Sequence, residues 1–112
     1  MTRQLVEVKP LPDAEILTYE LAPGVNDFHM REGAQILGVY VILGVPQLRA
    51  LVLHQMPLKI RRVRVVTQPH EECVDILFCK HIGAVQPASR REVFHVFDLG
   101  ERNLPPENHD AP

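Results

Sequence analysis

Ala34-Gln35-Ile36-Leu37-Gly38-Val39-Tyr40-Val41-Ile42-Leu43 is the stretch on which the fold class turns. Its even positions Ile36, Tyr40 and Ile42 are apolar, and so are its odd positions Leu37, Val39, Val41 and Leu43. Successive side chains of a strand point to opposite faces, so apolar residues at both parities predict a strand covered on both sides. The core covers one side; a second layer or a second subunit covers the other. The apolar run Ile36–Val45 has only ten residues, interrupted by glycines. About 20 are needed to cross a bilayer as a helix, so no membrane role is expected.

Turn signals and further strands flank this segment. Gly44-Val45-Pro46 predicts a turn, and Gln47–His54 returns with Leu48, Ala50 and Val52 on one face, forming a hairpin with the preceding strand. Past Met56-Pro57, Lys59–Thr67 places Val63 and Val65 on one face and Arg62 and Arg64 on the other. Towards the N-terminus, Ile16–Leu21 and Val25–Met30 read as strands separated by Ala22-Pro23-Gly24, and Arg31-Glu32-Gly33 turns into the central segment. Towards the C-terminus, Glu71–Cys79 reads as a short helix or turn leading into a strand at Lys80–Val85. Arg91–Leu99 closes the series, alternating Val93, His95 and Phe97 against Phe94 and Val96. Six to seven short strands with at most one short helix predict a mainly β domain, a small antiparallel sandwich or barrel-like fold. There is no βαβ pattern to carry a doubly wound nucleotide-binding sheet.

With 112 residues, the chain has room for one domain. We expect an extended N-terminal arm over 1–14, a single β domain over 15–100 and a polar, proline-rich tail over 101–112. An apolar fraction of 46% and a charged fraction of 23% suit a globular chain. A formal charge of −2 gives no global attraction to nucleic acid or anionic membrane. Two cysteines are too few for a disulfide scaffold, and the first residues have no apolar run of signal-peptide length. Together these predict a cytoplasmic setting.

The residues that could carry chemistry are few. His70, Glu71, Glu72, Cys73, Cys79 and His81 lie close in sequence, but only Cys79-Lys80-His81 forms a tight ligand pair, and zinc sites ordinarily need two such pairs. Cys79 and His81 are therefore weak metal candidates, and no cofactor is expected. A cysteine–histidine dyad would need Cys73 or Cys79 to meet His81 or His95 in space. Ser89, in a Pro-Ala-Ser-Arg turn, lacks the glycines of a nucleophile elbow. The dispersed glycines make no phosphate loop. His95, flanked by core residues, reads as a structural polar group. The remaining signal is basic: Arg49, Arg62 and Arg64, with His70 nearby, could hold a phosphate or a partner's carboxylates, or could guard an edge strand against pairing. The scarcity of aromatics argues against a single-stranded nucleic-acid platform but leaves a nucleotide ligand open.

The segments Glu15–Leu21, Arg31–Val39, Gly44–Val52, His81–Gln86 and Val93–Asp98, in this order, resemble an uncharacterised family of small phage, prophage and bacterial proteins, a domain of unknown function. In that family a tryptophan commonly stands at the positions of Arg49 and Phe94, and a glycine-rich loop often precedes the position of His70. The resemblance implies a compact β domain of phage or bacterial origin and no particular reaction. The expectation is a non-enzymatic binding protein that self-associates or meets another protein: a phage or prophage accessory or minor structural protein, in the host cytoplasm or the virion. One alternative is an antagonist of host defence that binds a nucleotide signal or a host enzyme through the arginines. Another is a small metal- or cysteine-dependent enzyme built on Cys79, His81 and His95.

Overall fold

The computed structural model describes residues 13–67, 79–88 and 91–106. Seven strands are formed: β1 (Ala14–Glu20), β2 (Gly24–Arg31), β3 (Gln35–Ile42), β4 (Val45–Leu53), β5 (Leu58–Thr67), β6 (Lys80–Val85) and β7 (Phe94–Arg102). They make two antiparallel sheets, a three-stranded one in the order β1-β4-β3 and a four-stranded one in the order β2-β5-β7-β6. The protein is a small, mainly β sandwich. The helix or turn expected at Glu71–Cys79 lies, up to residue 78, outside the described residues, as do most of both expected arms.

Alternation builds the core. Leu48, Ala50 and Val52 of β4 are fully buried, opposed by Val63 and Val65 of β5 and by Phe94 and Val96 of β7. Each face is closed by the neighbouring strands, with Leu17 and Tyr19 of β1 and Met30 of β2 completing the apolar layer. Burying a side chain of this size contributes about 1.5–3 kcal/mol.

The second layer expected as one possible cover of Ala34–Leu43 is not supplied by the described residues. β3 is an edge strand of the three-stranded sheet, and no residue within it is buried. Its inward side chains Ile36 and Val39 pack on the core, whereas Leu37, Tyr40 and Val41 stay 39%, 41% and 36% exposed. Apolarity at both parities reports which surfaces dislike water, and not whether the chain itself covers them. No second layer among the described residues covers the other side.

The hairpin also turns one residue earlier than expected. Leu43 and Gly44 form the two-residue turn with φ of +50° and +80°, as a type I′ turn requires, and Pro46 lies inside β4. Ile42 and Val45 close the turn, which makes Val41–Pro46 the next pair, one that exchanges no hydrogen bonds across the ladder. The proline nitrogen therefore points away from β3, towards a level where the β1 ladder has already ended at Glu20–Gln47. Its carbonyl accepts from the Leu21 N–H at 2.9 Å. At the other end of the chain, β7 begins at Phe94 instead of Arg91 and runs on to Arg102, so the domain reaches slightly beyond residue 100.

Candidate functional site

Three surfaces bear chemistry. The first is a cleft of about 330 Å³ where β3 and β6, edge strands of different sheets, lie against each other. Bulges shape both walls, one between Ile36 and Gly38 and one between His81 and Gly83. On its floor, Arg61 Nε and Nη2 donate to the two Asp98 carboxylate oxygens at 2.9 and 2.6 Å, and Arg61 Nη1 donates to the Ala34 carbonyl. The Gly100 N–H donates to the same carboxylate. Burial pushes the Asp98 carboxyl up, but the hydrogen bonds from Arg61 and Gly100 outweigh it and hold the group below the usual carboxylate range. The Arg61 guanidinium is stabilised in turn, its affinity for the proton raised by Asp98. Both groups spend their hydrogen-bonding capacity on each other and on backbone, so this pair ties the β2–β3 crossover to the four-stranded sheet.

The second surface is the outer face of the four-stranded sheet. Val63 and Val65 point inwards, so Arg62 and Arg64 point out, as the alternation predicts. Arg62 donates from Nε and Nη2 to Asp27 across the β2–β5 ladder at 2.7 and 2.9 Å. The Arg62 hydrogen bond lowers the Asp27 carboxyl and raises the guanidinium, and the pair neutralises itself. Arg49 belongs to the other sheet, where its guanidinium lies 4.8 Å from the Tyr40 ring centre in a cation–π contact. Arg49 thus faces the opposite side of the sandwich from Arg62 and Arg64, and His70 lies outside the described residues. Of the expected arginine site, Arg62 and Arg64 share one face and Arg49 lies on the other side of the sandwich.

On that same outer face, β6 and β7 carry His81, His95 and Phe97. His95 Nδ1 and His81 Nε2 stand 3.5 Å apart, and the Phe97 ring packs 5.0 Å from that of His81. His95 Nε2 is buried and makes no hydrogen bond among the described residues, so the structural role expected of His95 leaves that nitrogen unpaired. Cys79 stands one residue before β6, while Cys73 lies outside the described residues. Among the described residues no three His, Cys, Asp or Glu side chains converge as a metal set. The pairing of His81 with His95 was not legible because it depends on the β6–β7 register, which a bulge shifts by one residue.

The third surface is the β3–β4 hairpin tip. Leu43 is 99% exposed and sits at φ +50°, a left-handed conformation that costs a leucine about 1–2 kcal/mol. Tyr40 and Val41 lie beside it, both partly exposed. No helix among the described residues is long and apolar enough to cross a membrane. No family model matches the chain, and no curated protein or solved structure shows significant similarity to it.

Proposed function

We propose that this chain is a non-enzymatic binding protein that self-associates through the β3–β4 hairpin. The observation that carries the reading is Leu43: a leucine at 99% exposure, in a backbone conformation suited to asparagine or glycine, at the tip of an edge hairpin. Neither folding nor solubility favours that residue there, whereas a contact would. Leu37 and Tyr40 are exposed along β3 and Val41 is exposed on the opposite face beside the turn, and the edge of β3 that is unpaired among the described residues offers backbone donors and acceptors to a second chain. A two-fold arrangement, in which each hairpin meets its own copy, would satisfy both at once. The resemblance to small phage and prophage proteins supports an accessory or minor structural role in that setting, in the host cytoplasm or the virion.

Sedimentation equilibrium of the full chain tests this reading. We expect a concentration-dependent mass above that of one chain, and a shift to the single-chain mass for Leu43→Asn. The same variant relieves the turn strain, so it should melt at a higher temperature at concentrations where both forms are monomeric, by about 1 kcal/mol of stability. A wild-type chain that is monomeric at every concentration contradicts the proposal.

A further inference from the structure

We infer that Leu43 of one chain seats in an apolar pocket of a second copy, the pocket at the foot of that copy's own β3–β4 hairpin. This rests on the self-association proposed above and names the socket. The pocket holds about 340 Å³ and takes its walls from both sheets at the hairpin end of the sandwich. Leu21, Ala22 and Pro23 after β1, Pro46 of β4, Pro87 after β6 and the buried Phe94 of β7 line it. None of the described residues that line it is charged. The walls also have little to offer a polar guest. Prolines carry no N–H. The Leu21 N–H is spent on the Pro46 carbonyl at 2.9 Å, and the Ala22 N–H on the Asn26 side-chain oxygen at 2.9 Å. Water in such a pocket finds too few of the partners it needs, so an apolar side chain displaces it favourably.

The occupant follows from what stands beside the opening. Gly44 and Val45 belong to the same lining, so the Cα of Leu43 lies one peptide unit, about 3.8 Å, from a residue of the pocket. At 99% exposure, Leu43 nevertheless stands outside the pocket of its own chain. Knob and socket are thus neighbours on one surface, which is what a two-fold contact requires: each leucine enters the other chain's pocket through the same set of contacts. The four side-chain carbons of a leucine, each about the volume of a water, need roughly 120 Å³. The ends of the strand array, Ala14 and Arg102, lie at the opposite end of the sandwich, whereas a second copy presents Leu43 at this one. The socket is also formed in advance. Proline fixes φ, and Asn26 Nδ2 donates to the Ala22 and Gly24 carbonyls at 2.8 and 3.2 Å, so the Ala22–Gly24 wall needs little ordering on contact.

Cross-linking between labelled and unlabelled full chains tests the inference. A ¹⁵N-labelled chain with a diazirine amino acid in place of Leu43 is mixed with unlabelled wild type, irradiated and digested, and links between the two isotopes are mapped by mass spectrometry. We expect them at Ala22, Pro23 or Pro87 of the unlabelled chain. Ala22→Glu, which leaves Leu43 untouched and puts a charge at an exposed part of the lining, should weaken association by at least about tenfold. Leu104→Glu, an equal change at a partly exposed leucine beyond β7, should associate as the wild type does. A chain that associates but whose links fall elsewhere, on β3 for example, overturns this inference and leaves self-association standing. So does an Ala22→Glu variant that associates like the wild type. A chain that is monomeric at every concentration overturns both.

Discussion

Asp98 shows how a residue that looks ionic in sequence can be structural in the fold. It is 12% exposed, its partner Arg61 is 14% exposed, and each satisfies the other. An unfolded aspartate titrates near about 3.9, whereas the folded group binds its proton less readily. The stabilisation is therefore complete above the unfolded value and is lost as the pH falls through the lower, folded one. Asp98→Asn should cost about 2–4 kcal/mol at neutral pH, because it leaves the Arg61 charge half-buried without its counter-ion. The gap between wild type and variant, measured by urea unfolding, should narrow as the pH falls below the ordinary carboxylate range. A gap that does not change with pH would show that Asp98 contributes packing and not charge. Asp27, exposed beside Arg62, should contribute far less. None of these partnerships could be read from the sequence: Arg61 and Asp98 are 37 positions apart, and only the β5–β7 register joins them.

The strands themselves were largely legible, because a period of two is visible wherever one face is buried. The alternations Leu48-Ala50-Val52 and Val63-Val65 against Arg62-Arg64 are kept in β4 and β5. Two errors have physical causes. Pro46 looked like part of a turn, yet a proline is tolerated in a strand at a pair where no hydrogen bond is due. β3 looked covered on both faces, yet composition cannot separate a covered apolar face from an uncovered one. Bulges escaped the reading altogether, although they bring β3 and β6 into contact. Gly83 marks that contact: a β-carbon there would come within 2.8 Å of Val39 Cγ2. A valine is stiff at χ1, so Gly83→Ala should force the two edges apart and cost about 1–3 kcal/mol. Thermal or urea melts of Gly83→Ala against Ala84→Gly, a change at the adjacent exposed position, would check this. Equal melting of Gly83→Ala and wild type would mean that the β3–β6 contact yields freely.

Taken whole, the sandwich is tied at one end and exposed at the other. The two crossovers between sheets that follow β2 and β4 are laced together: Arg31 donates to the Met56 carbonyl, the Glu32 N–H to the Pro57 carbonyl and the Gly33 N–H to the Glu101 carboxylate. The opposite end carries the strained, exposed leucine turn. Fixed connections hold the hairpin on a rigid base, the arrangement a contact surface needs, while the arginines that sequence grouped as one site are spread over both outer faces. The claim that this hairpin is where one chain meets another is tested most directly by amide hydrogen exchange at low and high protein concentration. Protection should rise with concentration at Tyr40–Val45 and stay constant along β2, the far edge of the other sheet. Exchange at the hairpin that is independent of concentration, or protection that rises on β2 instead, would contradict the account.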